Sequence, residues 1–379
     1  MKRIYLAFVF CIVSLLTAVA QEEDMVFPAG LRFLDYNNKL PDNLLHTKSV
    51  VFVDVPVKSG TSLRGDWKAL AKAGHQVFKE AGIDAVAYYN LGDVEAGRDA
   101  SIKLAEELKG RQIENIILLS QVPLKIAGKH TERFAILITE FNEENSFISH
   151  GQTAYKEVAK DTEKLFKQFD KDIRKSGMSS QNHLIADQPE FFTGAGNIIK
   201  GRRAQGFAQD LKLDKLAVPQ FEEATIPQNR PGGNANKNLE KEIEKNNKLV
   251  KRNNLTLKEI LNDYPYEFSL VDPSKAEDQI RQEGYQFILM RLHTTGENIK
   301  EMLGYELNPA ETDYVTMQQN GGNIKMRHIP AKAPVYKYYI KHIYTGDVYL
   351  GNPWDADETW EEALANYIHN MKKDLNIGK

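Results

Sequence analysis

Residues 134–138 read Phe134-Ala135-Ile136-Leu137-Ile138, and residues 336–340 read Tyr336-Lys337-Tyr338-Tyr339-Ile340. In the first stretch the large apolar residues Phe134, Ile136 and Ile138 fall at every second position, the period-two signature of a strand. The polar run Asn142-Glu143-Glu144-Asn145 makes a turn, Phe147-Ile148 resumes the strand, and the spacing predicts a β-hairpin. Tyr155, Val158, Leu165, Phe166, Phe169 and Ile173 then fall on one face of an amphipathic helix. Adding 202 to each number carries the pattern onto the C-terminal part without a gap: Tyr336, Tyr338 and Ile340, then Tyr349-Leu350, then Trp360, Tyr367, Ile368, Met371 and Leu375. A long pattern recurring at one offset is the mark of an internal duplication.

Upstream, Glu80-Ala81-Gly82-Ile83-Asp84 lines up at the same offset with Gln282-Glu283-Gly284-Tyr285-Gln286, a helix end with a glycine stop before a strand. Phe52-Val53-Asp54 lines up with Leu270-Val271-Asp272 if the first copy carries an insertion near Ser59–Gly65. Between these points the first copy reads as strand (Val50–Val55), helix (Trp67, Leu70, Ala71, Val77, Phe78), strand (Ala85–Tyr89), helix (Ala100, Leu104, Leu108, ending at Gly110) and strand (Ile116–Leu119). Strands alternating with helices predict an α/β or α+β fold: two related mixed-sheet modules, each ending in a β-hairpin and an amphipathic helix.

Met1-Lys2-Arg3 precedes an uncharged apolar run from Ile4 to Ala20, with small residues at Ala18 and Ala20. This is the pattern of a signal peptide cut after Ala20, and it predicts an exported protein, periplasmic, outer-membrane-associated or extracellular. Cys11, the only cysteine, lies inside that segment behind Phe10, where lipidation has no small-residue site, so the mature chain is expected to have neither disulfide nor thiolate chemistry. The expected organisation is a signal peptide (1–20), an N-terminal extension (21–45), a first module with a C-terminal extension (46–222), a connector (223–255) that is a Pro/Gly/Asn loop followed by a charged helix with a thin Leu239, Ile243 and Val250 seam, and a second module (256–379). The formal net charge is -3 with the two signs interleaved, which argues against nucleic acid as a partner. No second apolar run reaches spanning length, so a transmembrane segment is not expected after cleavage, and membrane association would be peripheral.

Site motifs are near misses. Gly60-Thr61-Ser62-Leu63-Arg64-Gly65 continues as Asp66-Trp67 where a phosphate loop needs Lys and Ser/Thr, so Asp66 is expected to cap a helix. Gly194-Ala195-Gly196 lacks the dinucleotide spacing, leaving Arg202 and Arg203 as candidate anion contacts. Asp355, Asp357 and Thr359 lack the glycine and glutamate of a calcium loop, and Asp355 with Glu358 is expected to cap a helix instead. The histidines show no metal-ligand spacing, and His342 reads as a half-exposed sheet residue. No catalytic residue, cofactor site or metal site is therefore expected. Tyr336, Tyr338, Tyr339, Tyr344 and Tyr349 crowd one hairpin: either its strands are covered on both sides or an aromatic patch faces a partner.

The stretch Glu283-Gly284-Tyr285-Gln286-Phe287-Ile288-Leu289, then Tyr339 to Tyr349 through Thr345-Gly346, then the Trp360 helix resembles the α/β modules of the TolB N-terminal domain and of the curli secretion channel CsgG. The resemblance covers about 100 residues, and the first copy departs from it with Asn142–Asn145 in place of the Thr-Gly turn. It implies action through protein contacts in envelope assembly, with no catalytic residues to transfer. The expected function is that of an exported, non-catalytic envelope protein in protein–protein interaction. The alternative is an exported enzyme or small-ligand binder with its site between the modules, where Arg202, Arg203 and His183 are the first candidates.

Overall fold

Val50, Val51, Phe52 and Val53 are all buried, so the strand that they form is covered on both faces. That strand seeds a seven-stranded mixed sheet. The computed structural model describes residues 34–377 apart from 58–60, 62, 127–128, 150, 183, 226–233, 321–322 and 353. The expected signal segment with Cys11, residues of the Gly60–Gly65 stretch, and His183 lie outside the described residues.

In chain order the first module comprises β1 (Asp35–Asn37), β2 (Lys48–Asp54), α1 (Trp67–Glu80), β3 (Asp84–Asn90), α2 (Leu91–Val94), α3 (Arg98–Gly110), β4 (Ile113–Ile126), β5 (Lys129–Glu140), β6 (Thr153–Ala159) and α4 (Thr162–Ser176). A two-residue strand, β7 (Phe191–Phe192), follows. The second comprises β8 (Arg203–Ala204), β9 (Leu216–Pro219), α5 (Asn234–Leu261), β10 (Phe268–Val271), α6 (Glu277–Gln282), β11 (Phe287–Thr295), α7 (Gly296–Met302), β12 (Asp313–Asn320), β13 (Asn323–Pro330), β14 (Pro334–His342), β15 (Val348–Tyr349) and α8 (Trp360–Asp374).

The sheets are ordered β1-β6-β5-β4-β2-β3-β7 and β8-β15-β14-β11-β9-β10. Six strands therefore occur in the same order in both. The directions match as well: β3, β2 and β4 are mutually parallel, as are β10, β9 and β11, and β5 and β14 then run antiparallel to β4 and β11. The last strand is antiparallel to the fourth in each module, and the first short strand pads its edge in parallel. Each module closes with a helix, α4 or α8, on the outer face of its sheet.

Three apolar clusters arrange these elements in layers. One face of the first sheet packs on α1 and α4 through Phe78, Leu165 and Phe169. One face of the second packs on α5 and α8 through Leu257, Tyr338, Trp360 and Tyr367. The remaining faces of both sheets meet over a single core that also takes Leu104 of α3, Ile280 of α6 and Ile299 of α7. The two modules are one body with a shared centre.

Several expectations change in detail. Tyr155 and Val158 lie on β6, not on the helix, which starts at Thr162 behind the capping Asp161. The second hairpin strand is β6 rather than Phe147-Ile148; Phe147 is a buried loop residue at φ 61° packed edge-on to Phe52. The two closing helices start 198 residues apart, at Thr162 and Trp360, not 202. Four residues are about one helical turn, so the apolar stripe stays in phase and hides the shift. Upstream, the expected match of Phe52-Val53-Asp54 with Leu270-Val271-Asp272 pairs β2 with β10, whereas the topological counterpart of β2 is β9. The module boundary moves for the same reason: β8 and β9 belong to the second sheet, and the expected connector is mostly α5, the helix between β9 and β10.

Candidate functional site

The tyrosine hairpin is the covered alternative. β14 pairs on both sides, with β11 and β15, so one of its faces serves the shared core and the other the α8 core. Tyr339 and Tyr338 are buried on those two faces, Tyr336 and Tyr349 are half-buried, and only Tyr344 is exposed. The five do not form a partner surface. Arg203 is engaged structurally, donating to Leu303 O at 2.9 Å and lying 4.5 Å over the Tyr305 ring. Arg202 is exposed and donates its backbone N–H to Asp347 at 2.7 Å.

The acidic residues before α8 also have other roles. Thr359, not Asp355, caps the helix. Asp355 is buried against Lys337, which also donates to Leu350 O at 2.6 Å. Burial lowers the Lys337 ammonium and raises the Asp355 carboxyl, each opposed by the other's charge. Asp357 meets Arg327 at 2.8 Å. Asp66 caps α1 as expected, accepting from Ala69 N at 3.2 Å, and His342 is half-buried on β14. Among the described residues no group of three His, Cys, Asp or Glu side chains is placed to hold a metal ion.

The junction between the modules concentrates the remaining polar chemistry. Arg64 pairs with the buried Asp93 at the end of α2 and donates to Thr294 Oγ1 on β11 at 3.0 Å, while Thr294 also donates to Asp93. Asp99 of α3 accepts from Tyr339 Oη at 2.8 Å and from Lys341 Nζ at 2.9 Å, and Lys341 also reaches Glu277 of α6 at 2.9 Å. Between these ties the chains approach closely: His293 N–H donates to Ala96 O at 2.7 Å. A Cβ placed on Gly97 would sit 2.5 Å from Arg291 O.

Two adjoining hollows of about 770 and 730 Å³ run along this junction, sharing Arg98, Glu144 and Asn145. The second opens at the carboxyl ends of β9 and β10, where α/β sheets commonly place ligand sites. Its wall includes Glu95, Arg291, His293 and Tyr336. His293 stacks flat on Tyr336 with ring centres 3.9 Å apart, and Arg291 lies 4.0 Å over Phe221. Glu95 reaches the water of the cleft but is flanked by protein, and desolvation with the nearby Asp54 charge raises its carboxyl to about 7. Desolvation and the charges of Arg64 and Arg291 lower His293 to about 4, keeping its ring neutral at pH 7. Glu95 and His293 were not legible as a site because the residues that tune them lie on other elements.

A second feature is the pair of hairpins inserted between the third and fourth core strands of each module. In the first module β4 and β5 stay paired out to Ile126 and Lys129, whereas β2 accompanies β4 only to Ser120. In the second, β12 and β13 form a separate two-stranded ribbon. Its inner face carries Tyr314, Thr316 and Ile329, and Arg327 fastens it to Asp357 and Glu362 at the start of α8. Its outer face leaves Val315, Met317 and Met326 respectively 42, 52 and 66% exposed, with Met317 directly opposite Met326.

No family model, no curated protein and no solved structure matches this chain. Among the described residues no helix is long and apolar enough to cross a membrane.

Proposed function

We propose that this chain is an exported, non-catalytic envelope protein that works by binding other proteins in the periplasm or at the outer membrane. The observation that carries the reading is the β12–β13 ribbon, whose outer face sets three large apolar side chains in water beside one another. Scattered single apolar residues are ordinary on a surface, but a contiguous set on one ribbon face marks a contact. That the first module extends its own hairpin from the same point of the topology favours a paired presentation to a partner. The resemblance of the second module to TolB and CsgG modules points the same way.

A photo-crosslinking residue in place of Met326 tests this in intact cells. A discrete adduct, lost when Met317 is changed to lysine, is the expected result. A protein that fractionates alone and forms no adduct would overturn it.

A second reading is favoured by the cleft itself: Glu95, whose carboxyl is raised to about 7, and His293, whose ring is neutral at pH 7, line the same hollow, and perturbed titratable groups in a cleft mark candidate ligand and active sites. On this reading a small molecule enters the cleft between the modules. A thermal-shift screen with sugars, nucleotides, amino acids and metal ions checks it; saturating ligand adds a few kcal/mol, and no shift beyond about 1 °C with any compound would count against it.

A further inference from the structure

The first sheet continues one strand beyond the point where the second stops. Phe191–Phe192 runs parallel to β3, with Tyr88 opposite Phe191 and Tyr89 opposite Phe192, and Tyr88 N–H donates to Glu190 O at 2.9 Å. Its two rings fall on opposite faces of the sheet: Phe191 is edge-on to Trp67 at 5.4 Å, and Phe192 stacks on Tyr89 at 5.3 Å. β10 holds in the second module the place that β3 holds in the first, parallel to the first core strand and outside it.

No strand lies beside the outer edge of β10 among the described residues. Leu216 N–H donates to Glu267 O, and Gln220 N–H donates to Val271 O. The odd-numbered peptide groups of β10 thus face β9, and by the alternation of a parallel ladder those of Phe268 and Leu270 face outward. Main-chain partners are absent there among the described residues, and both side chains are only half-buried. The flanking Glu267 and Asp272 are exposed acids.

From this broken symmetry we infer that the free edge of β10 receives an extended segment of a partner protein, added parallel to it as β7 is added to β3. The segment carries two adjacent large apolar residues, one for each face of the sheet, flanked by a basic residue that answers Glu267 or Asp272. Strand addition of this kind takes affinity from main-chain hydrogen bonds and selectivity from alternate side chains. The inference rests on the protein-binding reading above but uses a different surface, so crosslinking at Met326 and binding at β10 succeed or fail independently.

The test uses the full chain and a synthetic copy of residues 188–195 with the glutamate at position 190 replaced by lysine. Saturating peptide is expected to slow amide exchange at Phe268 and Leu270 at least about tenfold, since pairing protects an edge amide from opening. Leu270→Pro removes one outward donor at an edge position where proline is tolerated, and is expected to weaken binding at least about tenfold with the melting temperature retained. A Phe268→Ser chain, which keeps both donors and loses one side-chain contact, is expected to bind with intermediate affinity. No slowing at either amide with millimolar peptide would overturn the inference. So would protection confined to Tyr88, where the peptide would merely displace β7, or equal binding of a peptide with serine in place of both phenylalanines.

Discussion

Lys337 and Asp355 are both almost wholly removed from water, and each is tolerated because the other is there. Removing one partner leaves a buried charge uncompensated, which typically costs about 3–5 kcal/mol, whereas replacing both with apolar residues of similar volume is often neutral. Lys337→Ala is therefore expected to lower the urea-unfolding free energy by about 3–5 kcal/mol, and Lys337→Met with Asp355→Leu by much less. Glu95 and His293 set opposite pH dependences. The Glu95 carboxyl is raised to about 7, so between about 4.5 and 7 the folded chain holds a proton that the unfolded chain has lost. Its contribution to stability is full below pH 4.5 and disappears as pH rises through 7. His293 is lowered to about 4, so its contribution is full above pH 6.5 and is lost as pH falls through 4. Urea midpoints measured from pH 4 to 8 should show Glu95→Gln gaining on the parent chain as pH rises to 7; parallel curves would contradict this.

At the scale of elements, local signals decided much of the first module. The apolar run at β2, the helical spacing of α1 after Asp66 and the Gly82 stop behind α1 can all be read directly. Gly177 adopts φ 70°, the left-handed conformation that ends α4. Gly177→Ala is expected to cost about 1 kcal/mol, measured by thermal unfolding. β9 was missed because Leu216-Ala217-Val218-Pro219 is only four residues long and borrows its strand character from neighbours on both sides. Tyr155 and Val158 were misread because their spacing suits a helix, and only pairing with β5 makes them a strand. Arg327 acts at this scale too, holding the ribbon to the start of α8. Arg327→Ala is expected to speed amide exchange across β12 and β13 at least about tenfold while leaving β4 and β5 unchanged, because the ribbon loses its charged anchor but keeps its ladder.

For the whole molecule, the shared core couples the modules. Leu104, Ile288, Met290 and Tyr339 cannot be buried unless both sheets are present, so unfolding is expected to be one transition. Fluorescence, far-ultraviolet circular dichroism and exchange at β4 and β11 should give coincident midpoints, and separate midpoints would show that the modules fold independently. Asp93→Ala removes the carboxylate between Arg64 and Thr294 and is expected to cost about 2–4 kcal/mol for both sheets together.

The amino-acid sequence by itself determined the α/β class, the recurring hairpin–helix pattern, both limits of α1 and the ends of α3 and α6, because apolar periodicity, caps and glycine stops act over a few neighbouring residues. It placed the recurrence but misaligned it by one strand upstream, since a four-residue shift in a helix leaves an apolar stripe in phase and a short strand leaves little trace. Only the tertiary structure decided that the modules share a core, that the tyrosines of β14 are covered, and that Glu95 and His293 face one cleft. It also decided that, among the described residues, β10 is the last strand of its sheet. The shared core and the cleft depend on residues far apart in the chain meeting across the junction, and the covered tyrosines depend on β11, β15 and α8 packing around β14; no local pattern encodes contacts of that range.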